Sequence, residues 1–351
     1  MDAIDYAKSY KPAGSPVQEV TDPFLKGSGI RLLIKRDDLI HEHISGNKWR
    51  KLKYNLSEAV KQNHHTILTF GGAYSNHIAA TAFACKKAGL ESIGIIRGED
   101  DSTNPTLQFA RENDMQLHFV SRDDYRKMTS VETRCFTSNT AVNHEPLDIV
   151  SLQQRFGRFF LIPEGGANGL GVHGCAEILP EVEEKFDVVC CAAGTGTTLA
   201  GLAISIGEET RCLSSQPAID KETQSITSLL GFPALKGGTF LSEDVERLIE
   251  ESGLRAPSSL NLQLITDYHF GGYAKMKPEL LEFINGFTER TGIPLDPIYT
   301  GKMMFGIYDM ILNKQSVEAY RNTPFPNGTT ILAVHTGGLQ GWLGMEHQGL
   351  I

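Results

Sequence analysis

The stretch SGNKWRKLK, Ser45 to Lys53, places four basic residues in nine within a chain of formal net charge −9. By itself it could be an anion patch, a solvated helix start, or the setting of one reactive amine. A lysine amine does covalent chemistry only in company, with an electron sink and groups that hold its partner. Five other stretches bear on that choice. In CAAGTGTTLAG (191–201) an apolar strand runs into Gly194, Thr195, Gly196, Thr197 and Thr198, and helical periodicity follows. Backbone N–H groups there can close around a phosphate, helped by the helix start and the hydroxyls; the plainer alternative is a tight turn. In TFGGAYSNHIAA (69–80), Ser75 or Asn76 can cap a helix whose free N–H groups could equally hold a carboxylate. LIPEGGANGLGVHG (161–174) has five glycines in ten residues, with Glu164 and Asn168 as polar contacts to a ligand or as parts of a loop. In LDPIYTGKMMFG (295–306), Tyr299 precedes a helix that Thr300 could cap, and the ring serves as a proton donor or as packing. In AVHTGGLQG (333–341), Thr336 could bond a buried ligand atom.

The elements that must position these residues alternate. IRLLIKRDDL, TILTF, SIGIIRG, QLHFV, RFFLIPEGG, DVVCCAAG, LQLIT and TTILAVHTGG read as strands. Helices fall between them: NKWRKLKYNLSEAVKQ, with Leu52, Leu56, Ala59 and Val60 on one face, and STNPTLQFARENDM, capped by Asn104 with Pro105 at its first position. Alternation of this kind implies an α/β fold with parallel sheets covered by helices, binding ligands at strand carboxyl ends. The glycine loops all fall there. The stretch 125–156 is polar and weakly periodic, a surface excursion or part of a lid.

Composition narrows the function. Hydrophobic content of 40% and charged content of 21% are those of a globular protein, and the acidic balance disfavours nucleic acid and anionic membranes. The N-terminus shows no apolar signal core, so a cytoplasmic protein is expected. The segment 188–207 is apolar but broken by glycine and threonine, which predicts a strand, loop and helix rather than a membrane span. Six cysteines without a C-x-x-C pair argue against zinc and against a disulfide framework. His64-His65 has no carboxylate at ligand spacing, so no metal is expected. No G-x-S-x-G elbow supports a serine hydrolase.

One lysine, a separate phosphate cup and glycine loops at strand ends fit a single cofactor, pyridoxal phosphate. With these motifs in order, the chain resembles the family of 1-aminocyclopropane-1-carboxylate (ACC) deaminases and D-cysteine desulfhydrases. The resemblance runs from KRDDL…SGNKWRKL through TFGGAYSNH, PEGGANGLGVHG, AAGTGTTLAGL and DPIYTGKMMFG to HTGGLQG. It implies the tryptophan-synthase-β-like fold type II of such enzymes, with two domains, each a parallel or mostly parallel sheet flanked by helices. Residues 1–49 with 161–351 would form the large cofactor domain, and 50–160 a smaller domain closing over the substrate. It further implies that Lys48 bonds the cofactor aldehyde and Asn76 its phenolic oxygen. Gly194 to Thr198 would hold the phosphate, and Ser75, Asn76 and His77 the substrate carboxylate. Tyr299 and Tyr273 would be the two active-site tyrosines, with Tyr268 as rival to Tyr273. Thr300 and Thr336 stand where the deaminases carry glutamate and leucine, which is the desulfhydrase pattern. A hydroxyl near the ring nitrogen leaves it closer to neutral than a carboxylate would. The expected activity is therefore β-elimination from D-cysteine, or a related β-substituted D-amino acid, to pyruvate, ammonia and hydrogen sulfide, with ACC deamination as the alternative. A homodimer acting on a small amino acid is expected. Arg50, Lys51 and Lys53 read as support or solvated charge that could depress the Lys48 pKa, a point for which Arg50→Gln is the natural test.

Overall fold

The computed structural model describes residues 14–135, 149–214, 228–312 and 325–351. Two sheets organise it. The larger contains β1 (Val17–Glu19), β2 (Arg31–Lys35), β7 (Val188–Ala193), β8 (Ser228–Pro233), β9 (Asn261–Leu264) and β10 (Thr330–Val334), in the order β1-β2-β10-β7-β8-β9. The smaller contains β3 (Thr66–Gly72), β4 (Glu91–Arg97), β5 (Met115–Val120) and β6 (Phe160–Ile162), in the order β5-β4-β3-β6. All pairings are parallel except β1 with β2.

The helices between them are α1 (Asn47–Lys61), α2 (Asn76–Ala88), α3 (Pro105–Glu112), α4 (Arg122–Cys135), α5 (Ile149–Phe156), α6 (Gly169–Cys175), α7 (Thr197–Ser214), α8 (Leu241–Ser252), α9 (Pro278–Thr291), α10 (Thr300–Leu312) and α11 (Gly341–His347). Local chemistry sets their starts. The Asn104 side chain accepts from Thr106 and Leu107 N–H, with Pro105 first in α3, as its spacing predicts. The segment 188–207 folds as β7, a loop and the start of α7. Among the described residues no helix is long and apolar enough to cross a membrane. The stretch 125–156 contains most of α4 and all of α5, from which Tyr125, Met128 and Leu152 bury against β4; residues 136–148 lie outside the described ones.

The cluster after Lys48 is not a solvated face. α1 buries Leu52, Leu56 and Ala59, and it also buries Arg50 completely. The Arg50 guanidinium meets Asp37 at 2.6 and 2.8 Å and Glu181 at 2.8 and 3.0 Å. Lys35 reaches the same Glu181 at 2.8 Å. Lys53 is half-buried against Glu177 at 2.7 Å. A charge taken out of water requires such partners, and here they come from residues 13 and 131 positions away. Behind α1, Asn55 and Asn168 exchange amide hydrogen bonds at 3.2 and 2.7 Å. Asn168 also caps α6 through Gly171 N–H. It therefore locks two helices together and does not line the cavity described next.

Candidate active site

The carboxyl ends of both sheets converge on one cavity of about 690 Å³. From the large sheet come the loops after β2, β7, β8 and β10; from the small sheet, those after β3, β4, β5 and β6. Strand order explains the convergence. β10 lies between β2 and β7, so the start of α1, the Gly194–Thr198 loop and the His335–Gly338 loop are neighbours. Asn47 N–H donates to the Thr336 carbonyl at 3.2 Å, and its side-chain amide donates to Thr198 Oγ1 at 3.0 Å. These two bonds place Lys48 at the cavity wall.

The Lys48 amine is buried and donates to Asn47 Oδ1 at 3.1 Å. Burial, followed by the charge of Lys51, pulls its pKa down to about 7. Of the three basic neighbours expected to depress it, only Lys51 does so; Arg50 is not among the causes, its charge being spent on Asp37 and Glu181, and neither is Lys53. Lys51 itself is buried, its pKa is lowered by burial, and it reaches the Gly165 carbonyl at 3.3 Å. It meets no carboxylate among the described residues. A buried ammonium so placed on the cavity wall asks for an anion. Pattern reading missed it because one lysine in a basic run looks like another.

The fold also sets the tautomer of His77. The Thr69 hydroxyl donates to the Ile162 carbonyl at 2.7 Å, so its oxygen accepts from His77 Nε2–H at 2.8 Å. Nδ1 is left as a buried acceptor without a partner among the described residues. Burial, with Lys48 and Lys51 nearby, holds the ring well below its ordinary pKa and neutral. An acceptor cannot bond a carboxylate, so His77 can serve one only through its backbone N–H. Ser75 caps α2, accepting from Ile78 N–H at 3.4 Å. The Asn76 amide reaches across to Gly338 on the far loop, where an added Cβ would lie 3.0 Å from it.

The tyrosines separate cleanly. Tyr273 and Tyr299 line the cavity with ring centroids 6.1 Å apart and hydroxyls hydrogen-bonded to each other. Tyr273 is 43% exposed overall, but its hydroxyl end points inward. Burial raises both pKa values, Tyr299 the more, so both keep their protons near neutral pH. Tyr268 instead turns away and donates to Asp309 at 2.7 Å.

Gly194, Thr195, Gly196 and Thr198 line the cavity; the Thr197 hydroxyl turns to Thr195 at 3.1 Å. Thr336 lines it as well. Thr300 does not: its hydroxyl donates to Asp296 Oδ2 at 2.5 Å and accepts from Asp296 N–H at 2.9 Å. Nor is Thr300 the cap of α10. That cap is Asp296, whose carboxylate also accepts from Ile298, Tyr299 and Thr300 N–H at 2.7 to 2.9 Å. Asp296 thus fixes the backbone that carries Tyr299, a positioning role the sequence reading missed.

The sequence profile of the family described as pyridoxal-phosphate dependent enzymes matches residues 11–337. The chain belongs to this family. As a pyridoxal-phosphate dependent enzyme it is similar to a bifunctional D-cysteine desulfhydrase/1-aminocyclopropane-1-carboxylate deaminase, mitochondrial, of Arabidopsis thaliana, 31% identical over 332 residues, covering 90% of this chain and 74% of the relative. It is 29% identical to a putative 1-aminocyclopropane-1-carboxylate deaminase of Pyrococcus horikoshii, covering 94% and 91%. It is also 29% identical to a D-cysteine desulfhydrase of Klebsiella pneumoniae, covering 88% and 87%. The crystal structure of an ACC deaminase homologue superposes with a TM-score of 0.71 at 24% identity, covering 99% of this chain and 98% of that one, which shows the shared fold type II architecture. The cavity of this pyridoxal-phosphate dependent enzyme fits its cofactor. The glycine loop and the uncompensated Lys51 can take the phosphate, and the Lys48 amine is buried and readily deprotonated.

The like charge of Lys51 can be tested directly. Lys51→Met removes it, so the Lys48 pKa should move up from about 7. The rise should be partial, because burial is the larger cause. Labelling of the apoprotein amine by pyridoxal, which lacks the phosphate, should then reach half its maximal rate at a higher pH than in the wild type.

Proposed function

We propose that the enzyme catalyses β-elimination from D-cysteine or a related β-substituted D-amino acid, giving pyruvate, ammonia and hydrogen sulfide. The observation that carries this reading is the cavity lining. It includes Thr336, while the Asp296 carboxylate is taken up by its own helix start and is not part of it. Pyridoxal phosphate, when bound, supplies an aldehyde for an amine and a ring that withdraws the electron pair left at Cα. A hydroxyl beside the ring nitrogen supports a weaker sink than a carboxylate would. That suffices where a proton leaves Cα and a good thiolate leaves Cβ, and it suits cyclopropane opening less well.

In this reading Gly194–Thr198 and Lys51 hold the phosphate, Asn76 the phenolic oxygen, and Lys48 the covalent link. Ser75 and the N–H groups opening α2 hold the substrate carboxylate. With its pKa lowered to about 7, the Lys48 amine is in good part deprotonated at neutral pH and can take the Cα proton. The Cβ–S bond then breaks and hydrosulfide leaves. The three-carbon fragment takes up water to yield pyruvate and ammonia. Tyr299 and Tyr273 keep their protons and so orient and donate. The unit 50–160 closes over the substrate. A panel of D- and L-amino acids with ACC, scored for 2-oxo acid, tests this. Release from D-cysteine is expected, and release from ACC alone would refute it.

A further inference from the structure

Resting on that reading, we propose that the cavity is built for a substrate with a second anionic group on its side chain, held by Arg97 and Arg122. Arg97 ends β4, and the register sets it directly beside Gly72, the last residue of β3. Gly72 opens the loop assigned above to the substrate carboxylate. Having no side chain, it leaves the end of β3 clear, and a Cβ built there would lie 3.6 Å from Arg97 Nη2. The guanidinium therefore leans across the strand end towards the loop. Its other side is backed by the buried ring of Tyr125, 5.3 Å from Cζ to the centroid. Arg122 follows β5, the neighbour of β4, and opens α4. Both arginines line the cavity.

Neither guanidinium has an ion pair or a hydrogen bond among the described residues. Arg31, Arg36, Arg50, Arg111, Arg126, Arg247 and Arg290 each meet a carboxylate, whereas the exposed Arg155 and Arg255 meet none; what sets the equally exposed Arg97 and Arg122 apart is that both line the cavity. Asp and Glu outnumber Lys and Arg by 42 to 33, so carboxylates are plentiful. The charged residues of the cavity lining are Lys48, Lys51, Arg97 and Arg122 against Glu164. The cofactor phosphate answers Lys51, and backbone N–H groups answer the substrate α-carboxylate. The two guanidinium groups remain. A thiol side chain leaves both unused, whereas a carboxylate, sulfonate or phosphate on the β-substituent would accept the paired N–H donors that arginine presents. The charge of Arg97 is also felt at the Tyr273 hydroxyl, so the proposed subsite adjoins the tyrosine pair.

The test uses the holoenzyme and two substrates that differ by one charge, S-carboxymethylcysteine and S-carbamoylmethylcysteine, in both enantiomers. The uncharged substrate carries the better thiolate leaving group, which works against the anionic one, so a kcat/KM ratio in favour of the anion reads recognition of the side-chain charge. A ratio of about tenfold or more in favour of the anion is expected, since charge-assisted pairs are about twice as strong as neutral ones. It should collapse towards one in Arg97→Gln and in Arg122→Gln and shrink in high salt. Calorimetry supplies a readout without turnover: succinate should bind the holoenzyme more tightly than succinamate, and the variants should lose that difference. A wild-type ratio near one overturns the proposal. So does an equal loss on both substrates in Arg97→Gln, which would put that guanidinium on the α-carboxylate. If neither substrate reacts but succinate is still preferred, the elimination reading fails and the subsite stands. Turnover of both substrates without discrimination leaves the elimination reading and removes the subsite.

Discussion

Lys48→Ala is expected to abolish the long-wavelength absorbance of the bound cofactor and to lower turnover by about 10³-fold or more, combining loss of the covalent link with loss of a positioned base, itself worth about 10²–10⁴. The phosphate groups of the site are separate in sequence and place, so the variant should still bind pyridoxal phosphate non-covalently. Dialysis should then strip it far faster than from the wild type. A second readout guards against a merely structural effect. The Lys48 pKa falls from 10.5 to about 7 on folding, so between these values the unfolded chain binds more protons than the folded one. Stability of the apoprotein must rise with pH across that window, and the contribution is lost again as pH falls through 7. In Lys48→Ala this share of the slope disappears. Urea midpoints of both apoproteins at pH 6 and pH 9 measure it. A variant that keeps the cofactor band would overturn the assignment of Lys48.

Much of this site is legible in one chain because its parts are local. β7 followed by Gly194–Thr198, and β3 followed by Gly72–His77, are apolar runs delivering glycines and cap residues to a strand end. Neighbouring residues set such geometry, so the sequence carries it. The remainder depends on distant partners. Arg50 reads as a solvated charge until the fold brings Asp37 and Glu181 to it. Lys51 reads like Arg50, yet the fold gives it only a carbonyl. Asp296 and Thr300 lie four apart and either can cap α10; the folded backbone turns the helix-start N–H groups towards Asp296, which leaves the Thr300 hydroxyl to donate to it. Tyr268 and Tyr273 stand five apart in a glycine-rich turn that has no periodicity to separate them. β8, with Gly231 and Pro233 inside SLLGFP, and the three-residue β1 carry too little pattern to be read as strands.

Gly46→Ala should be nearly as damaging as loss of the amine, without touching a reactive atom. Gly46 has φ 61° and ψ −134°, a conformation that side chains disfavour, at a cost of about 1–3 kcal/mol. Space is the harder limit. A Cβ here would lie 1.9 Å from the Thr336 carbonyl oxygen, 2.2 Å from its carbon and 2.6 Å from Gly337 N. All three are backbone atoms, so no rotamer change relieves the clash. Moving α1 breaks the Asn47 N–H bond to Thr336 and the Asn47 amide bond to Thr198, which together hold Lys48 at the cavity wall. Moving the other loop displaces Thr336 and Gly338, which line the same cavity. Overpacking adds about 1–3 kcal/mol to the backbone cost. A displacement of about 1 Å at the amine would cost roughly 10²-fold in rate. Gly89→Ala is the matched control, because Gly89 also has positive φ, at +69°, but nothing within 4 Å of an added Cβ. It should lose only the conformational share in urea midpoint and keep its cofactor. If Gly46→Ala matched that control in midpoint, cofactor retention and kcat, the close approach of the two loops would not be what places Lys48.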